Sequence, residues 1–175
     1  MRSYKRWCFL LLVAYSTMRD KSQMANTTGH QALRKGRVSL PRQIYLLTTV
    51  TEGRTPYFSN VELACTACRA MLERRTWGDA NALCWVLMPD HWHGLIELGE
   101  HDDLSVVMNR LKSRISKALQ PQTQTPFRWA RGFHDHALRK DEDLLTAARY
   151  IIANPVRAGL VSDINDYPYW NSSWL

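Results

Sequence analysis

The stretch Met88-Pro89-Asp90-His91-Trp92-His93-Gly94-Leu95-Ile96 constrains this chain more than any other. Apolar runs flank it, Ala82-Leu83-Cys84-Trp85-Val86-Leu87 before and Leu95-Ile96-Glu97-Leu98 after. Both read as strand, with Pro89-Asp90 as the turn between them. Side chains alternate along a strand, so His91 and His93 share one face and Trp92 takes the other. The Trp92 face then belongs to a core and the histidine face is left for polar chemistry. Two adjacent imidazoles can hold a divalent metal, and a metal so held can polarise a phosphate ester. The plain alternative is a pair of polar residues on a solvated sheet face.

A second feature lies about sixty residues on, in Tyr150-Ile151-Ile152-Ala153-Asn154-Pro155. Asp141-Glu142-Asp143 places carboxylates where a helix N-terminus favours them. Leu144, Leu145, Ala148, Ile151 and Ile152 then recur at helical spacing as an apolar stripe. Pro155 biases Asn154 away from the helical region, so the helix is expected to stop there. Tyr150 and Asn154, four residues apart, share a face away from the stripe. An amide oxygen can be a third ligand for a hard metal, and a tyrosine can be a covalent nucleophile.

The rest of the chain supplies a frame for these two features. Gln43 to Thr51 reads as a first strand, broken by Gly53-Arg54-Thr55-Pro56. Ser59 or Asn60 caps a first helix that runs to about Arg75. A second helix starts at Asp102 or Asp103 and carries the stripe Leu104, Val107, Met108, Leu111, Ile115 and Leu119. Its other side holds Arg110, Arg114 and Lys117, either a solvated face or a row that neutralises successive phosphates. Gln120 to Pro126 is a polar connector into Phe127-Arg128-Trp129-Ala130-Arg131-Gly132-Phe133. There Arg128, Trp129 and Arg131 suit contact with single-stranded DNA. His134 and His136 form a second His-x-His, the main rival metal pair. The order strand, helix, strand, strand, helix, strand, helix fits a ferredoxin-like α+β layout.

Taken in order, these blocks resemble the REP-associated tyrosine transposases, members of the single-tyrosine HUH nucleases and insertion-sequence-like transposases. The resemblance covers roughly residues 34 to 174, from Arg34-Lys35-Gly36-Arg37-Val38-Ser39-Leu40-Pro41 to Tyr167-Pro168-Tyr169-Trp170-Asn171-Ser172-Ser173-Trp174. Between them stand Gly132-Phe133-His134-Asp135-His136-Ala137-Leu138-Arg139 and Ala148-Arg149-Tyr150-Ile151-Ile152-Ala153-Asn154-Pro155-Val156-Arg157-Ala158-Gly159-Leu160-Val161. The resemblance implies an antiparallel ferredoxin-like sheet with helices packed on one face, the HUH nuclease architecture. It implies that His91, His93 and Asn154 ligate magnesium or manganese and that Tyr150 is the DNA-cleaving nucleophile. In the family the His134 block is a strand feature outside the metal motif, so His136 is expected to support the site. The implied partner is single-stranded DNA bearing palindromic hairpins, handled by a monomer or homodimer with no membrane. The implied reaction cuts and rejoins that DNA through a covalent 5′-phosphotyrosine. Two alternatives are a hairpin-binding protein that does not mobilise DNA, and a metal phosphodiesterase that uses water.

Composition is consistent with such a partner: 23 Lys and Arg against 16 Asp and Glu give a net charge of +7. A basic balance favours a polyanion and says little about fold. With 175 residues and 45% apolar content the chain can bury one real core. Cys65-x-x-Cys68 looks like half a zinc site, but both thiols fall on the apolar stripe Val61, Ala64, Cys65, Cys68, Leu72 and read as buried. A zinc shared with the two histidines would be structural. The irregular cysteine spacing gives no disulfide framework, so a reducing cytoplasm is expected, and the DNA partner implied by the resemblance adds association with the nucleoid. Residues 1–33 read as a leader, with residues 34–175 as the single HUH domain. The apolar run Trp7 to Ala14 behind Arg2, Lys5 and Arg6 has signal-peptide size and is too short to span a bilayer. An export signal would remove a DNA enzyme from its substrate, so a translation start at Met24 or Met18 is expected.

Overall fold

A computed structural model describes residues 39–124, 126–139 and 143–174. The leader expected over residues 1–33 lies outside the described residues. The segment around His91 forms a hairpin of two antiparallel strands, β2 (Asn81–Met88) and β3 (His91–Glu97). The first strand, β1 (Ile44–Val50), pairs antiparallel with β3 along its whole length, from Ile44 opposite Glu97 to Val50 opposite His91. Two short strands complete the sheet. β4 (His134–Ala137) pairs with β1, and β5 (Trp170–Ser172) pairs with β2. The strand order is β4-β1-β3-β2-β5, the first four in ferredoxin-like arrangement and every pairing antiparallel.

The registers sort the side chains into two faces. Trp92 and Gly94 stand opposite Leu87 and Trp85 on β2 and opposite Thr49 and Leu47 on β1. All six are buried. This face meets the core, where the Trp92 ring lies 6.1 Å from that of Trp77. His91 and His93 stand on the other face with Met88, Val86, Val50 and Thr48 as cross-strand neighbours. The alternation expected from Trp92 is therefore realised on three central strands at once.

Two crossovers supply the helices behind the core. The first is α1 (Val61–Leu72) followed by the short α2 (Arg74–Trp77), and the second is α3 (Leu104–Leu119). The Asn60 side chain caps α1, accepting from the Glu62 and Leu63 amides. The single helix expected as far as Arg75 is broken at Glu73, whose backbone is extended. Carbonyls freed at the break are taken by side chains: Thr76 Oγ1 donates to Ala70 and Trp77 Nε1 to Met71. Leu72, expected in the buried stripe, is exposed because the helix ends on it. On α3 all six apolar residues of the expected stripe are buried.

After β4 the chain forms α4 (Leu144–Ile152), N-capped by the Asp143 carboxylate, which accepts from the Leu145 amide. Ala148, Ile151 and Ile152 are buried, whereas Leu145 is exposed. The helix was expected to stop about Asn154. It ends instead at Ile152, and a further helical turn, α5 (Asn154–Arg157), starts at once. Pro155 sits in the first turn of α5, where its missing N–H costs no hydrogen bond. The C-terminal segment returns to the sheet: Tyr167 Oη donates to the Leu87 carbonyl, and the Leu87 amide donates to Tyr169. Among the described residues no helix is long and apolar enough to cross a membrane.

Candidate functional site

The site begins with the two imidazoles on β3. Their rings lie edge to face with centroids 4.6 Å apart. Each Nδ1 is tethered. His91 Nδ1 lies 2.5 Å from Asp90 Oδ1, and His93 Nδ1 lies 2.7 Å from the Thr48 hydroxyl on the neighbouring strand. Arg54 Nη1 meets the other Asp90 oxygen at 3.1 Å. Burial opposes the Asp90 charge, but His91 and Arg54 outweigh it and hold the carboxyl below its ordinary range.

Burial is the main cause that pushes the His93 pKa down, to about 3, with the nearby His91, Arg54 and Arg157 charges adding to it. His93 is thus neutral at ordinary pH, the form in which imidazole ligates a metal. With Nδ1 engaged on both rings, Nε2 is the nitrogen left for a ligand, the usual arrangement of metal-binding histidines. This donor set fits a divalent cation. Among the described residues no three His, Cys, Asp or Glu side chains converge on one point. Among the described residues a third protein donor would be of another type, such as an amide oxygen.

Helix α4 packs against β2 and β3, and α5 against β2. Tyr150 is 55% exposed near the end of α4, so its phenol is open to a substrate. Asn154 opens α5, with Nδ2 donating to the Ile151 carbonyl at 2.9 Å. That bond fixes the flip of the amide and turns its oxygen away from the helix backbone. The oxygen receives a long 3.3 Å contact from Arg157 Nη1. Arg157 Nη2 also donates to Tyr150 Oη at 2.9 Å, and its guanidinium carbon stands 4.0 Å from the centre of the Tyr150 ring.

Four residues of this constellation escaped the sequence reading: Thr48, Arg54, Asp90 and Arg157. Asp90 adjoins His91 and could have been suspected from that alone. Tyr150 and Arg157 are seven apart, two helical turns, a spacing hidden by the expectation that Pro155 ends the helix. Thr48 and Arg54 carry no local signal, since the sheet register and the loop after β1 bring them in.

The other nominated residues fall elsewhere. Arg110 pairs with Asp102 at 2.8 Å. Arg114 bonds to Glu73 and to Thr76 Oγ1. Helix α3 packs on α1 and α2, and Trp77 of α2 meets Trp92 on the core face. The structure therefore does not bring Arg110, Arg114 and Lys117 to the histidines. Arg128 and Arg131 are exposed in the segment after the connector, and Trp129 forms a bridge with Thr51 just beyond β1. Its indole packs on Phe58 and Phe127, with centroids 5.7 and 5.2 Å away. His134 and His136 stand on the histidine face, opposite Thr48 and Leu46. His134, rather than His136, shares the cross-strand row of Thr48 and His93. With strands ~4.8 Å apart, two strand spacings put it ~10 Å from His93 in backbone terms. Cys65 and Cys68 are buried on α1, and burial pushes the Cys84 thiol up to about 12. None of them joins a metal cluster among the described residues.

Comparison with known proteins adds an independent line. The profile of the family described as "Transposase IS200 like" matches residues 40–154. A Haemophilus influenzae protein assigned to the REP-associated tyrosine transposases is 33% identical over 139 residues, spanning 72% of this chain and 77% of its own. The REP-associated tyrosine transposase of Escherichia coli K12 is 31% identical over 86 residues, 49% of this chain and 50% of its own. A solved REP-associated tyrosine transposase bound to a REP hairpin shares the fold, with a TM-score of 0.60 and 22% identity. That match covers 84% of this chain and 82% of the solved one.

Proposed function

The chain belongs to the IS200-like transposase family, and on that premise we propose that it cuts and rejoins single-stranded DNA at palindromic hairpins with Tyr150 as nucleophile. The observation that carries this reading is an exposed phenol on a helix packed against the strand pair that holds two tethered imidazoles. His91, His93 and Asn154 are the residues that would hold a magnesium or manganese ion. Such an ion, when bound, supplies Lewis-acid polarisation of the scissile phosphate.

Tyr150 supplies the nucleophile, and water exchanges the protons. Tyr150 Oη attacks phosphorus and the P–O3′ bond breaks. O3′ takes up a proton and leaves as a 3′ hydroxyl, the phenolic proton passes to water, and the 5′ phosphate stays on Tyr150. Attack by another 3′ hydroxyl reverses these changes and joins strands without an external energy source. A free phenol titrates near 10, so the tyrosine needs help near neutrality. Asp90 and Thr48 keep the imidazoles oriented through Nδ1. The partner is DNA with a folded hairpin, as in the solved transposase complex, and the exposed Arg128 and Arg131 are the proposed strand contacts, Trp129 being held in the aromatic cluster behind them. Such a partner places the protein in the cytoplasm with the chromosome.

The test is incubation with labelled single-stranded hairpins from the flanks of the protein's own gene, with manganese, followed by denaturing electrophoresis. Wild type should form a covalent protein–DNA adduct. Tyr150→Phe should form none while keeping hairpin affinity within a few-fold. His91→Ala and EDTA should each abolish cleavage. Cutting by Tyr150→Phe at the wild-type rate would sink the tyrosine reading in favour of a water-using phosphodiesterase. Tight hairpin binding by wild type with no cutting would favour the non-mobilising binder.

A further inference from the structure

Arg157 reaches the one oxygen on which the proposed reaction turns. One guanidinium nitrogen donates to Tyr150 Oη, the planar group lies over the phenol ring, and a second nitrogen meets Asn154 Oδ1. This geometry needs α5. Without a helical turn through Pro155, a side chain seven residues after Tyr150 would not fold back onto it. Arg157 is exposed and has no carboxylate partner among the described residues, so its charge is not spent on an ion pair.

Resting on the tyrosine reading above, we infer that Arg157 is the group that holds and electrostatically stabilises the Tyr150 oxygen in both cleavage and rejoining. In cleavage the phenol loses a proton as the Oη–P bond forms, and a fixed donor stabilises the negative charge that develops on Oη. In rejoining an incoming 3′ oxygen attacks phosphorus, the P–Oη bond breaks, and tyrosine departs as phenolate before regaining a proton. The same donor faces the same oxygen in both directions, so its loss slows both steps. A guanidinium suits this place because it is always charged and can stack and donate at once. Placing a donor at an atom that gains charge in the transition state is the logic of an oxyanion hole, where loss of one donor costs about 10²-fold or more.

The experiment compares wild type, Arg157→Ala, Arg157→Lys and Tyr150→Phe under single-turnover conditions, with saturating hairpin DNA and manganese. Adduct formation and strand rejoining are each timed, hairpin affinity is measured separately, and thermal unfolding is recorded for every variant. Arg157→Ala should slow both steps by about 10²-fold, with affinity and melting temperature close to wild type. Arg157→Lys should recover part of the rate, and methylguanidinium added to Arg157→Ala should raise its rate above that of the variant alone. Wild-type rates in Arg157→Ala, with Tyr150→Phe inactive, would overturn the role of Arg157 and leave the nucleophile intact. A slow Arg157→Ala that neither lysine nor methylguanidinium rescues, with a lowered melting temperature, would also overturn it and make Arg157 a structural clamp. Adduct formation by Tyr150→Phe would overturn both readings.

Discussion

Gly94 is predicted to stabilise the strand that carries the histidines by leaving room for the Trp92 ring, and Gly94→Ala tests this. Residues 92 and 94 share the core face of β3, and the Trp92 ring leans along the strand over Gly94. A Cβ at Gly94 would lie 2.4 and 2.5 Å from two carbons of that ring and 3.2 Å from the Cys84 carbonyl. Carbon atoms meet comfortably at about 3.5–4.0 Å, so the ring must move by roughly 1 Å. It has no room to do so, because Trp92 is fully buried with Trp77 against it. Overpacking of this kind costs about 1–3 kcal/mol, and a rigid buried indole argues for the upper end. For a domain of this size that lowers the melting temperature by about 6–12 °C. Trp92→Leu alone should cost a similar amount through the cavity it opens, somewhat below the ~3–5 kcal/mol of a full truncation. In the double variant the alanine enters space the indole has vacated. The double should therefore be more stable than the sum of the singles predicts by about 2 kcal/mol. Urea unfolding of the four proteins in EDTA, followed by tryptophan fluorescence and circular dichroism, measures this coupling. Additive losses, or a Gly94→Ala protein within about 0.5 kcal/mol of wild type, would refute the argument.

Two further predictions concern charge. The His93 pKa is lowered in the fold to about 3, chiefly by burial, from 6.5. The unfolded chain therefore binds a proton that the folded one refuses as pH falls from about 6.5 toward 3. Above that window His93 contributes no pH dependence, and within it stability should fall by up to about 1.4 kcal/mol per pH unit. Metal-free His93→Asn should lack this component, and parallel losses in the two proteins between pH 6.5 and 4 would count against it. For DNA contact, neutralising Arg128 and Arg131 together should change the slope of log affinity against log salt by about 1.4, at ~0.7 per single-strand phosphate. Neutralising Lys117 should leave the slope unchanged. A titration in which Lys117 matters and Arg128 and Arg131 do not would move the DNA path to α3.

Much of this architecture was legible because periodicity is local information. The alternation around Trp92 separates the faces of β3 before any strand partner is known. The six-residue stripe of α3 and the Asn60 cap announce their helices in the same way. The ordered blocks from Arg34 to Trp174 carry the family resemblance, which the family match bears out, and with it the expectation that His91 and His93 act with Tyr150 and Asn154. Local reading went astray where side chains from distant elements compete with propensity. At Glu73 the Arg75 and Arg114 contacts accompany an extended residue inside an otherwise helical run. At Pro155 the rule that proline ends a helix was too strong, because the same residue can open the next turn.

The sequence by itself determined which residues are candidates for chemistry and which face of each element they occupy, since both follow from residue type and spacing along one element. Tertiary structure decided which contacts reach across elements. Thr48 reaches His93 only through the register of β1 on β3, forty-five positions apart. Arg114 is drawn into a bond with Glu73 by the packing of α3 on α2, which with the Arg110–Asp102 pair takes two of the three basic residues of that row into ion pairs. Arg157 meets the Tyr150 oxygen because α5 continues the path of the chain past Pro155. Hydrogen bonds are short and directional, so a contact between distant positions exists only once the backbone has fixed both ends, and no spacing rule along the chain encodes it.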